Sequence, residues 1–252
     1  GDLIIAEGTV LTIEPGVEVK AGNYRHDIVI EGSLVAQGTA DLPILFTSTA
    51  ASPAKGNWGF LSFNQSSQNN LLDYVTVEYG RGLYAETDSL TVSNSTIRVN
   101  DDYGVAFGNA SPTIENSQIV DNDGVAIYYD GFYASPLLRN VTVSGNNGNY
   151  ISYPNGAMEQ SHTLSYSRIT PFVSYVPRGD LTVVQGATLT IEPGVVIRSN
   201  NYRHDIVVEG SLIAQGTADL PISFTSTAAS PAKANWGFLS FSQSSENNLL
   251  DY

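Results

Sequence analysis

Apolar and polar residues alternate along most of the chain in short runs that end in turn-forming residues. Five segments show the pattern most clearly: LLDYVTVEY, LTVSNSTIRVN, PTIENSQIVDN, PLLRNVTVSGN and HTLSYSRITPF. Aligned on Tyr74, Asn94, Asn116, Asn140 and Tyr166, they recur at spacings of 20, 22, 24 and 26 residues. Two residues before each anchor stand Leu72, Val92, Ile114, Leu138 and Leu164; three after it stand Val77, Ile97, Ile119, Val143 and Ile169. Thr76, Arg98 and Gln118 lie between as polar residues. Period-two alternation puts successive side chains on opposite faces of a strand. Like residues returning at one place in successive segments predict strands stacked coil on coil, with two columns of buried aliphatics. The connections lack the helical pattern that a βαβ protein needs. The expectation is all-β: a solenoid.

A longer period contains the shorter one. Residues 1–74 return without a gap as 179–252, with 57 of 74 positions identical, so the long repeat is 178 residues. Residues 1–178 read as one full repeat and 179–252 as the start of the next, together one continuous β-solenoid with about eight coils per repeat. At about 4.8 Å per stacked strand, such a repeat would advance by ~38 Å. Within each repeat, Pro15-Gly16 suits a tight turn, because Pro fixes φ at the first central position and Gly supplies a positive φ at the second. Pro43 suits a strand entrance, and Trp58, Phe60 and Phe63 suggest an aromatic coil. The only methionine is Met158, and the sequence stops at Tyr252, the counterpart of Tyr74. This is read as part of a longer repetitive protein.

Composition narrows the function classes. With 42% hydrophobic and 14% charged residues, the chain is too apolar for disorder. A net charge of −14 repels phosphate backbones and anionic membrane surfaces, so nucleic acid is excluded as a partner. No apolar run approaches the roughly 18 residues of a membrane-spanning helix, so no membrane insertion is expected. Cysteine is absent, which removes disulfides, thiolate metal sites and cysteine nucleophiles.

The phrases LTIEPGVEV, GSLVAQGTADLPILFTS and NWGFLSF followed by LLDYVTVEYG resemble the β-helix repeats of bacterial and archaeal surface proteins in the pectin-lyase-like superfamily. The resemblance covers essentially the whole chain. It implies a right-handed, single-stranded parallel β-helix and an extracellular or cell-surface location. It implies no single activity, because this scaffold carries lyases, glycosidases, adhesins and inert stalks.

Three groups of residues could carry more than the fold. Asn94, Asn116 and Asn140 share one coil position, and Asn100, Asn122 and Asn146 share another six residues on. Stacked amides donate and accept along the axis, so these are expected as structural ladders. Asp101 and Asp123 follow the second ladder one coil apart and could, with Asp102, offer oxygen ligands to Ca²⁺; two solvated turn acids are the other reading. A lyase also needs a base, and Arg98 and Arg139 lie in the same region, though the match to a lyase motif is poor. Tyr128, Tyr129, Asp130, Tyr133, Tyr150 and Tyr153 form an aromatic concentration that could bind sugar rings by stacking, or pack at a coil corner. The loop Asn23 to Asp27, repeated as Asn201 to Asp205, places His between Arg and Asp and is expected to be held by its own ion pair.

No Ser–His–Asp arrangement, phosphate loop or zinc spacing is present in the sequence. The expected function is a structural or adhesive segment of an extracellular tandem-repeat β-helix protein, forming a fibre, stalk or surface layer that associates end to end with itself. The alternative is a polysaccharide lyase, glycosidase or carbohydrate-binding module on the same scaffold, with polysaccharide as partner.

Overall fold

The computed structural model describes residues 1–166, 168–170 and 173–252. Among these residues every regular element is a β-strand, and none is a helix long and apolar enough to cross a membrane. The strands pair in parallel and stack as a β-solenoid. The described residues divide into two compact units, residues 1–149 with 168–170, and residues 150–166 with 173–252. The division at Asn149 and Tyr150 falls inside the first long repeat, not at its boundary after residue 178.

In the first unit each turn of the solenoid contributes to three columns. Column A stacks Leu3–Ile5, Ile28–Ile30, Phe60–Phe63, Gly82–Ala85, Val105–Phe107 and Val125–Tyr129. Column B stacks Val10–Ile13, Ser33–Gln37, Asn70–Asp73, Leu90–Ser93, Thr113–Glu115 and the first part of Leu137–Ser144. Column C stacks Glu18–Ala21, Ile44–Ser48, Val75–Glu78, Thr96–Arg98, Gln118–Val120, the second part of Leu137–Ser144, and Arg168–Thr170. Leu72, Val92, Ile114 and Leu138 meet in register in column B. Val77, Ile97, Ile119 and Val143 do so in column C. All eight are buried, and each such aliphatic contributes about 2 kcal/mol of burial.

Column A is filled by larger groups. Phe63, Ala85, Phe107 and Tyr129 lie in one inward row, with the Phe107 and Tyr129 rings edge to face at 6.0 Å between centroids. Trp58 is fully buried and donates its indole N–H to the Glu78 carbonyl at 2.9 Å.

Single residues turn the corners. Between columns B and C, Tyr74, Asn94, Asn116 and Asn140 have φ near +50°. After column C, Tyr79, Val99, Asp121 and Gly145 are also left-handed. One left-handed residue bends the strand sharply, and Asn or Gly adopts that conformation at least cost.

Two aliphatics depart from the expected columns. Ile169 faces Val141, not Val143, because Arg168 and Ile169 pair with Arg139 and Val141 and leave the corner residue Asn140 without an opposite number. Leu164 lies in the second unit, where it pairs with Ile191. Within that unit the strands pair in parallel along three ladders. The ladders carry the strand Tyr175–Pro177 beside Val196–Ser199, Leu181–Val183 beside Ile206–Val208, and Thr188–Ile191 beside Ser211–Gln215. Its repeated segment keeps the contacts of the first copy: Phe60 N–H donates to Asp27 and Phe238 N–H to Asp205, both at 2.8 Å.

Candidate functional site

The outward face of column A carries a groove of about 360 Å³ in the first unit. Its floor follows from strand alternation. Ser62, Tyr84, Ala106 and Tyr128 are in register on successive strands, 22 residues apart, and point away from the core. Ala106 is fully buried despite facing outward, because the larger Tyr84 and Tyr128 flank it. Its small side chain leaves room for the Tyr84 hydroxyl to reach Asp130 two strands on, at 3.2 Å, while also lying 3.2 Å from Glu86.

The entry side of the groove comes from the turns that lead into column A. Arg81 precedes the strand Gly82–Ala85 and donates to Asp102 at 2.9 Å, while its guanidinium lies 4.5 Å from the centre of the Phe60 ring. Asp102 and Tyr103 precede Val105–Phe107, and Tyr103 stacks on Tyr128 with centroids 4.2 Å apart and planes 21° apart. Asp27 closes one end, its carboxylate fixed by the Phe60 N–H. Gly82 makes the turn possible: its φ is +126°, and a Cβ there would come within 2.1 Å of the Tyr103 carbonyl oxygen.

Electrostatics favour a neutral phenol. Tyr103 is pushed up to about 12, first by burial and then by the charges of Asp102, Tyr128 and Asp130. Tyr84 is raised further, by burial first and then by Glu86 and Asp130. The groove lining carries three carboxylates, Asp27, Asp102 and Asp130, against the single guanidinium of Arg81. Stacking aromatics, hydroxyl groups and carboxylate acceptors together suit a polyhydroxylated ring, with apolar C–H faces on the rings and hydroxyls on the carboxylates.

The expected sugar-binding residues divide along strand geometry. Tyr128 and Asp130 line the groove. Tyr129, next to Tyr128, points inward and is 2% exposed, and Tyr153 is fully buried; both are core residues and present no face to a ligand, which corrects the expectation for them. Tyr133 sits half-buried in the loop after column A, its N–H on Asn109, and is not part of the lining. Tyr150 is half-buried in the second unit. Phe60, Arg81, Tyr84, Asp102 and Tyr103 complete the groove without having been expected there.

The expected Ca²⁺ ligands are placed differently. Asp123 is paired with the Lys55 ammonium at 2.5 Å, so a protein cation already occupies the position beside it. Asp101 is exposed and packs against Gly56, and Asp102 turns to Arg81. Among the described residues no three His, Asp or Glu side chains gather to hold a metal ion. Arg98 is bound to the buried Glu78 at 2.7 Å.

Asn100, Asn122 and Asn146 form a buried ladder at the corner after column C. Asn100 donates its amide N–H to Asn122 at 3.0 Å, and Asn122 to Asn146 at 2.8 Å. Each amide also donates to a core-strand carbonyl, of Val77, Ile97 or Ile119, and each oxygen accepts a backbone or amide N–H. Asn94, Asn116 and Asn140 occupy the exposed left-handed corner, with Asn140 donating to Asn116 at 3.1 Å and Asn94 to Asp73 at 2.8 Å. A serine ladder beside it was not expected: Ser95 and Ser117 each accept the N–H of the preceding coil. The Asn23 to Asp27 loop is held by Arg25 over the Tyr24 ring at 5.2 Å, not by the ion pair expected of it, and Arg203 over Tyr202 repeats the contact.

The pectate-lyase-like β-helix domain family matches residues 1–100 and 156–249, so the chain belongs to that family. No curated protein and no solved structure matches it.

Proposed function

We propose that this β-helix is an adhesive segment that binds polysaccharide through the column A groove, in an extracellular or cell-surface setting. The observation that carries the reading is the row Ser62, Tyr84, Ala106 and Tyr128, which places aromatic rings and hydrogen-bonding groups along the strand-stacking direction. Adjacent strands lie about 4.8 Å apart, close to the length of one pyranose ring, so a glycan laid across the coils meets a new strand at each sugar. Binding is favoured over cleavage because the groove's one cation is already engaged and its acids are held in fixed positions. Arg81 serves Asp102 and Phe60, Asp27 serves the Phe60 N–H, and Asp130 serves Tyr84. A stiff solenoid of paired strands would hold such a surface rigid, so little order is lost on binding.

Affinity electrophoresis of the full chain through gels containing neutral, uronic-acid or amino-sugar polysaccharides tests the proposal. Retardation by at least one of them, lost in Tyr128→Ala and Tyr103→Ala variants of unchanged circular dichroism, is expected. Unretarded migration in every gel overturns it, and reducing sugar or unsaturated product released from any of them would replace binding with catalysis.

A further inference from the structure

Resting on the glycan-binding reading above, we infer that the groove takes a cationic glycan, a chain of hexosamine units with unacetylated amines, and rejects polyuronates. The groove's charge is the argument. Its three carboxylates face one guanidinium, and that guanidinium is neutralised by Asp102, which leaves Asp27 and Asp130 as net negative charge. Glu86, on the far side of the Tyr84 hydroxyl, adds another. The whole chain carries −14, so no distant positive field offsets the local one.

A glycan carrying a carboxylate on every ring would bring like charge against Asp27 and Asp130. An ammonium group on every ring would instead meet carboxylate oxygens and aromatic faces, which attract cations by charge-assisted hydrogen bonding and by the ring quadrupole. Phe60 already holds a cation in this way, under Arg81. The exposed carboxylate of Asp130 stands beside Tyr128, so one sugar could stack on the ring while its amine reaches the acid. A basic peptide shares the charge but not the ring shape, and the flat, stacked pair of Tyr103 and Tyr128 favours the sugar.

Isothermal titration of the full chain at low salt decides the matter with four hexamers: β-1,4-linked glucosamine, its fully N-acetylated form, galacturonate and lysine. Glucosamine hexamer should bind at least about tenfold tighter than the N-acetylated form, the effect of one charge-assisted contact. Galacturonate hexamer should show no heat. Asp130→Asn should remove most of the preference for the free amine, and Glu86→Gln should weaken that preference less. If the N-acetylated hexamer binds equally well or better, the charge inference fails and the glycan reading stands. If lysine hexamer matches glucosamine, the ligand class is wrong and the groove is a general cation sink. If only galacturonate binds, the inference fails outright. If none binds, the charge inference fails, and the glycan reading fails with it only when migration is unretarded in every polysaccharide gel.

Discussion

Two regions of the first unit stack polar groups along the same direction and put them to opposite uses. In the ladder of Asn100, Asn122 and Asn146, each amide donates to a carbonyl and to the next amide, and each oxygen accepts. These side chains are nearly all buried, so the row is saturated and closed to any ligand. In the column A groove, Tyr84, Tyr128 and Asp130 also align over successive coils, but their rings and acceptor oxygens remain partly open to solvent. A saturated row is fold, whereas a row with exposed faces and acceptors is a surface for recognition.

Substitutions should separate the two. Asn122→Leu leaves the buried N–H of Asn100 and the carbonyl of Ile97 without partners, and urea denaturation should show a loss of about 3 kcal/mol or more. Tyr128→Ala should cost about 1 kcal/mol, since the ring is half-buried, yet abolish glycan retention. A variant that lost several kcal/mol there would turn the groove into core. Val99 is a β-branched residue at φ +48°, so Val99→Gly should raise stability by about 1 kcal/mol, seen as a higher midpoint at unchanged slope.

Alkaline titration sharpens the comparison on the groove side. The Tyr103 phenol is raised from 10 to about 12 in the folded chain, so the unfolded chain releases its proton first. Stability that Tyr103 contributes is complete below pH 10 and declines as pH rises toward 12. Tyrosinate absorbance should show a late-titrating group that moves to lower pH in Asp102→Asn. The smallest effect belongs to Lys55 and Asp123, an exposed pair. Lys55→Ala and Asp123→Asn should each cost about 0.5 kcal/mol or less, with no added loss when combined.

Columns B and C were legible because their anchor residues differ in kind from their neighbours: aliphatics flank an Asn or Tyr in each of the five aligned segments. Column A was not, since its rows read FLSF, GLYA, VAF and VAIYY and share no anchor. Period-two alternation was still enough to split Tyr128 from Tyr129, one outward and one inward. The aromatic run between residues 128 and 153 hid that rule by drawing them into one cluster. Tyr84 and Asp130 stand 46 residues apart and meet only across two strand steps, and no local spacing announces such a contact. The left-handed corners were half visible. Asn94, Asn116 and Asn140 suggested ladders, but Val99 carries no hint that its backbone is left-handed.

The corner between columns A and B has a further consequence. From Ser62 to Tyr74 and from Tyr128 to Asn140 the chain takes 12 residues, while from Tyr84 to Asn94 and from Ala106 to Asn116 it takes 10. Pairing on both sides stays in register through these changes. Insertions and deletions of two residues are therefore absorbed at this corner, and again at the turn into column A, where Tyr74 to Tyr84 takes 10 residues and Asn94 to Ala106 takes 12, without shifting the ladders. Descendants of such a chain can lengthen or shorten their loops freely, and graft new surfaces at that edge, without renegotiating the fold beneath.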